Sequence, residues 1–176
     1  MAAGRGVLAV LVGNRQAAGY FSFTERGVAG AIFALLASLA LNAGLPNLLG
    51  LAQPGEFARV FLFMVISEAL QMGFAAIVLR QFARMDGLVP YIVASSWASF
   101  FANLLVIGIT AAGVPGDLVG LPLAILSIVL LVNVARLIVT LAPLQIAALI
   151  VAQLVAVIVG LTVFNQIFPG ILDLPV

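Results

Sequence analysis

Few residues of this chain could do chemistry, and those that could are polar side chains set inside long apolar runs. Glu68 stands eleven residues after Phe57 and eleven before Leu79, with Gln71 about one helical turn further on. In a second run Asn133 and Arg136 repeat the i, i+3 spacing, which sets both on one face of a helix. Ser95, Ser96, Trp97 and Ser99 share a third run, and Gln153 sits in a fourth. A charge at mid-bilayer costs several kcal/mol unless it is paired or hydrated, so Glu68 and Arg136 are expected to meet as an ion pair or a water-bridged pair. At 1.5 Å of rise per residue, the serines and Gln153 fall about 10 to 17 Å from the same end of their runs. One polar layer, supplied by four helices, is therefore expected in one half of a bundle. Its bland use is to fix helix register, with Arg136 snorkelling to the surface. Its other uses are a proton or ion pathway through Glu68, or capture of a ligand. Trp97 is expected to be a packing anchor whose indole N–H could also serve a ligand beside the serines.

The residue types that are missing narrow the chemistry further. The 176 residues include no Cys and no His, and all seven cationic residues are Arg, so Lys is absent too. That removes disulfides, thiolate nucleophiles, thiolate zinc and iron–sulfur ligation, the usual haem and metal ligand, and Schiff-base formation. The serines of the third run have no His or Lys to act as base. Asp86-Gly87 precedes a run as in some phospholipid-synthesising enzymes, yet the further aspartates such metal sites need are absent. No Gly-rich phosphate loop with its lysine is present. A non-enzymatic protein with no metal and no cofactor is expected, and the net charge of +1 argues against a nucleic-acid partner.

The elements that must position these residues follow from composition. With 65% hydrophobic and 7% charged residues and a mean hydropathy of +1.33, the chain has too few polar groups for a soluble surface, where an ordinary domain carries roughly 25% charged residues. A bilayer solvates such a chain if every backbone polar group is satisfied internally, and long unalternating runs favour helices over barrel strands. The expected fold is all-α: a polytopic transmembrane helical bundle of about five spans, preceded by an interfacial N-terminal helical segment. A span needs about 20 apolar residues, and five segments qualify, about 28–51, 57–79, 88–112, 118–141 and 144–168. Residues 1–27 make up the N-terminal segment and 28–176 the bundle. Val7 to Val12 is too short an apolar core, followed too soon by Asn14 and Arg15, for a cleaved signal peptide. The stretch from Leu118 to Phe168 is too long for one helix, and Ala142-Pro143 is its natural break because proline lacks an amide donor. The loop there is short, so the last two spans should form an antiparallel hairpin.

In this topology Arg5, Arg15, Arg26, Arg80 and Arg84 lie on one side and Arg59 alone on the other. The positive-inside rule then places the N-terminus in the cytoplasm and the C-terminus outside. Small residues recur at helical spacing as Gly30, Ala34, Ser38, as Ala94, Ala98, Ala102, and most regularly as Ala148, Ala152, Ala156, Gly160. Such stripes let helix backbones approach closely, inside the bundle or at a contact between subunits.

The order of features resembles a known group. A polar start, Gly27 leading into a small-residue-rich span, a second span closed by Leu79-Arg80-Gln81-Phe82, then Tyr91-Ile92-Val93-Ala94-Ser95-Ser96-Trp97 and two closely joined final spans resemble short uncharacterised alphaproteobacterial membrane proteins. That group is distantly similar to the five-span Yip family. The chain departs from the group's aromatic-Val-Ala-x-Asn-Trp pattern by carrying Ser96 before Trp97. The resemblance implies a bacterial inner membrane and a non-catalytic organising role. Taken together, the expectation is a membrane scaffold or accessory subunit, partnered in the membrane plane by another protein or by copies of itself. The alternative is a small transporter or channel component using the polar layer around Glu68.

Overall fold

The computed structural model describes residues 2–48, 50, 54–114 and 116–167. Leu51 and Phe168, the expected ends of the first and fifth spans, lie outside them. Among the described residues the chain is all-α: α1 (Ala2–Leu11), α2 (Glu25–Leu48), α3 (Glu56–Gln81), α4 (Leu88–Ala111), α5 (Gly116–Asn133) and α6 (Pro143–Ile167), with short 3-10 turns after α1 and before α4. Five of these helices are long and apolar enough to cross a membrane. At 1.5 Å per residue they match a ~30 Å hydrocarbon core, which makes this a multi-pass membrane protein.

Local chemistry explains where the helices stop. α1, α3 and α4 end in Schellman turns, in which the residue just past the cap adopts a left-handed conformation. Gly13 (φ 75°) and Gly113 (φ 75°) fill that position after α1 and α4, whereas Ala83 (φ 54°) fills it after α3. There the Arg84 N–H donates to the Leu79 carbonyl at 2.8 Å and the Ala83 N–H to the Arg80 carbonyl at 3.1 Å. α2 starts at Thr24, whose hydroxyl accepts from the Gly27 N–H at 3.3 Å. A side chain at Gly27 would collide with the Ser22 carbonyl, so the entry turn requires glycine.

The chain breaks over residues 139–142, directly before Pro143. Helical pairing of α5 gives way to a π-turn at Val134–Ile138, where the Val139 N–H reaches back five residues to the Val134 carbonyl at 3.1 Å. The chain leaves the helix three residues before Leu141, the expected end, because Thr140 is left-handed at φ 58°. Pro143 is the first residue of α6, where its missing N–H costs nothing. The Gln145 side chain completes that start by accepting from the Ala142 N–H at 2.9 Å.

Packing divides into tight and loose contacts. α2 lies along α4 and α3 along α6. The stripe on α6 faces α3: Ala156 and Gly160 are buried, Ala148 and Ala152 are half-buried, and a Cβ at Gly160 would come within 3.4 Å of the Ser67 hydroxyl. On α2, Ala34 and Ser38 are buried, but Gly30 faces outward with open space beside it. The first half of α5 is held loosely, with Leu118, Leu121 and Ile125 all more than half exposed (69%, 71% and 55%). α1 is more than an interfacial segment, since Val7 and Val10 are part of the core shared with α4 and α5.

Candidate functional site

A cavity of about 350 Å³ opens in the wedge between α3, α4 and α5, with α6 behind it. α3 contributes Glu68, Gln71 and Met72. α4 contributes a stripe at four-residue spacing, Tyr91, Ser95, Ser99 and Asn103, with Ala98 and Ala102 beside it. α5 presents Ser127, Leu130, Leu131 and Val134, the i, i+3, i+4, i+7 face of a helix, together with Ile128. Gln153 is the contribution of α6.

Glu68 is half-buried on this wall, and the Ser99 hydroxyl is its polar neighbour across the wedge. It makes no ion pair with Arg136. The expected pairing fails on helical phase. Arg136 lies two residues beyond Val134 within the π-turn, which puts it on roughly the opposite side of the helix from the cavity face. It is exposed at the end of α5, and the cavity wall holds no cationic side chain among the described residues. Asn133 is likewise turned away. Its side-chain amide donates to the Val10 carbonyl at 2.8 Å and also approaches the Leu11 carbonyl at 3.4 Å, closing the end of α1.

The rest of the expected layer is partly assembled. Gln153 is buried and donates through Nε2 to the Gln71 backbone carbonyl at 3.0 Å, leaving its own carbonyl oxygen free of that bond. The Ser95 hydroxyl donates to the Tyr91 carbonyl at 2.7 Å, so its oxygen can only accept from a guest. Ser96 and Trp97 fall off the stripe. Ser96 is fully buried with no hydrogen-bond partner for its hydroxyl, and Trp97 packs against Phe100 and Phe101 with ring centroids 5.6 and 6.2 Å away.

The sequence reading missed Tyr91, Asn103 and Ser127. Tyr91 and Asn103 extend the Ser95–Ser99 spacing by one step in each direction, so the stripe was legible; Ser127 carried no such signal. Asn103 leads further from Glu68, donating to the Ser38 hydroxyl at 3.2 Å while accepting from the Asn42 amide at 3.4 Å. Ser38 thus acts as a polar link in addition to its place in a packing stripe.

At the other end of α4 the chain packs closely. Gly87 is buried so tightly against Val139 that an added Cβ would overlap it. The Arg84 guanidinium donates to the Val139 carbonyl at 2.6 Å, to the Thr140 carbonyl at 3.1 Å and to the Thr140 hydroxyl at 2.9 Å, and is paired with Asp86 at 3.4 Å. These contacts tie the loop after α3 to the corner between α5 and α6. No family model, curated protein or solved structure matches the chain.

Proposed function

We propose that this protein is a non-enzymatic small transporter or channel component that holds a cationic solute at Glu68. The observation that carries this is an acceptor-rich cavity with a carboxylate on its wall and, among the described residues, no cation to neutralise it. An ionisable group at membrane depth that meets no opposite charge is expensive, and its usual use is to meet an ion or solute. A group that served only to fix helix register would be paired and enclosed. The five arginines at one end support an inner-membrane orientation with the N-terminus and the Arg84 clamp on the cytoplasmic side.

Reconstituted in liposomes, the protein is expected to accelerate uptake of methylammonium, sodium ions or protons down an imposed gradient. Glu68→Gln should abolish that flux while retaining the helical circular dichroism and the gel-filtration profile of the parent. Flux that is unchanged in Glu68→Gln overturns the reading. Absence of flux for every cation, together with a stoichiometric partner co-purifying from native membranes, favours the scaffold role that the Yip-like resemblance implies.

A further inference from the structure

We infer that the ligand of the cavity is an organic ammonium with a short apolar body, an inference that rests on Glu68 being the charged element of a cation site. The cavity has two unlike walls. Glu68, Gln71, Ser95 and Ser99 make the α3–α4 side polar, whereas Leu130, Leu131 and Val134 make most of the α5 side apolar, with Ser127 its one hydroxyl. A bare ion or a file of water gains nothing from an apolar wall, and leaving that wall wet costs free energy in proportion to its area. A guest with a charged head and a hydrocarbon body satisfies both walls at once.

Size and ligand count point the same way. At about 350 Å³ the space is roughly twice the ~150 Å³ of an apolar cavity that takes up benzene, so it holds a head group and a body of several carbons. Calcium and magnesium take six or more oxygen ligands and zinc usually takes three or four from His, Cys, Asp or Glu, and no group of three or more such side chains is assembled among the described residues. The available polar groups suit N–H donors instead: the Glu68 carboxylate, the Ser95 oxygen that has already spent its proton, and the Gln153 carbonyl. The buried ring of Tyr91 adds an aromatic surface of the kind that attracts ammonium groups.

The test is competition binding of methyl-, butyl- and hexylammonium, with sodium as the inorganic cation, to the protein in lipid nanodiscs. Affinity should rise about threefold to fourfold per methylene buried until the cavity is filled, and Glu68→Gln should remove the binding. A second measurement does not depend on how that variant folds. The thiol of a Ser127→Cys variant, unique because the chain has no cysteine, should be labelled about tenfold more slowly at saturating hexylammonium. Glu68-dependent binding of methylammonium or sodium with no gain from chain length overturns the organic-ammonium inference and leaves the cation site standing. A chain-length gain that survives in Glu68→Gln, with no protection of the Ser127→Cys thiol, reports partition into lipid and also overturns it. Binding of no cation at all removes both.

Discussion

The Asn133 side-chain amide closes the end of a helix to which it does not belong, and the consequence can be measured. The Schellman turn after α1 gives the Val10 carbonyl one donor, the Gly13 N–H at 3.0 Å, and the Asn133 amide adds a second while also approaching the Leu11 carbonyl. Asn133→Ala leaves the Val10 carbonyl with only its bond from the Gly13 N–H and removes the amide beside the Leu11 carbonyl, at a cost of about 1 kcal/mol. Amide exchange over residues 2–12 should quicken roughly fivefold, with α3 to α6 unaffected. Exchange in α1 that does not change would show that its buried face, Val7 and Val10, holds it without the cap. Arg136, which shares the i, i+3 spacing, behaves differently because it is exposed and touches no part of the cavity. Arg136→Gln should change stability by less than about 0.5 kcal/mol. Combined with Glu68→Gln in a double-mutant cycle it should show no coupling beyond about 0.5 kcal/mol. Strong coupling would restore the ion pair that the sequence suggests and the geometry denies.

Helices meet at two places where a single atom decides the fit. Gly87 has an ordinary φ of −82°, so alanine is tolerated by its backbone but not by Val139. Gly87→Ala should therefore lower the thermal midpoint, and Val139→Ala in the same chain should restore part of the loss by removing the overlapping methyl. Failure of that rescue would mean the loss arises elsewhere than at this contact. After α3 the sign is reversed. Ala83 holds a left-handed conformation that glycine adopts without steric cost, so Ala83→Gly should stabilise by about 0.5 to 1 kcal/mol, read from a denaturation midpoint. These element-scale details mark the limit of what the sequence tells. The spans were legible because lipid demands about 20 apolar residues and permits little else. The Tyr91 to Asn103 stripe was legible from its spacing. The phase of α5 was not, because Asn133 and Ser127 are polar on different faces and only the neighbouring helices decide which face turns inward. The π-turn was hidden as well, since nothing in Val134–Ile138 forbids an α-helix; the Arg84 donors and the left-handed Thr140 select the wider turn from outside the segment.

For the whole molecule, closure at one end and looseness at the other imply a direction of access. The Arg84 clamp and the Gly87–Val139 contact should seal the end that carries Arg80 and Arg84, since they tie the loop after α3 to the corner between α5 and α6. Tyr91 and Val134, the wall residues nearest that end, are only 4% and 2% exposed. Ser127 and Ile128 are exposed where α5 loosens, and the Asn103–Asn42 bond runs toward the opposite end of the bundle. In the orientation proposed above, with the arginine-rich side cytoplasmic, solute should reach Glu68 from the other side of the membrane. The absence of cysteine allows sidedness and access to be read in one experiment with single-cysteine variants in intact cells. A membrane-impermeant thiol reagent should label Val114→Cys at once and Gln16→Cys only after permeabilisation, because these exposed residues lie on opposite sides of the five-span topology. The same reagent in a small charged form should label Ser127→Cys from the Val114 side. In inverted vesicles it should do so at least tenfold more slowly, and Arg84→Ala should narrow that difference by loosening the sealed end. Equal labelling of Ser127→Cys from both sides would mean that the clamp does not close the cavity. Labelling of Gln16→Cys in intact cells would place the arginines outside and reverse the direction of access.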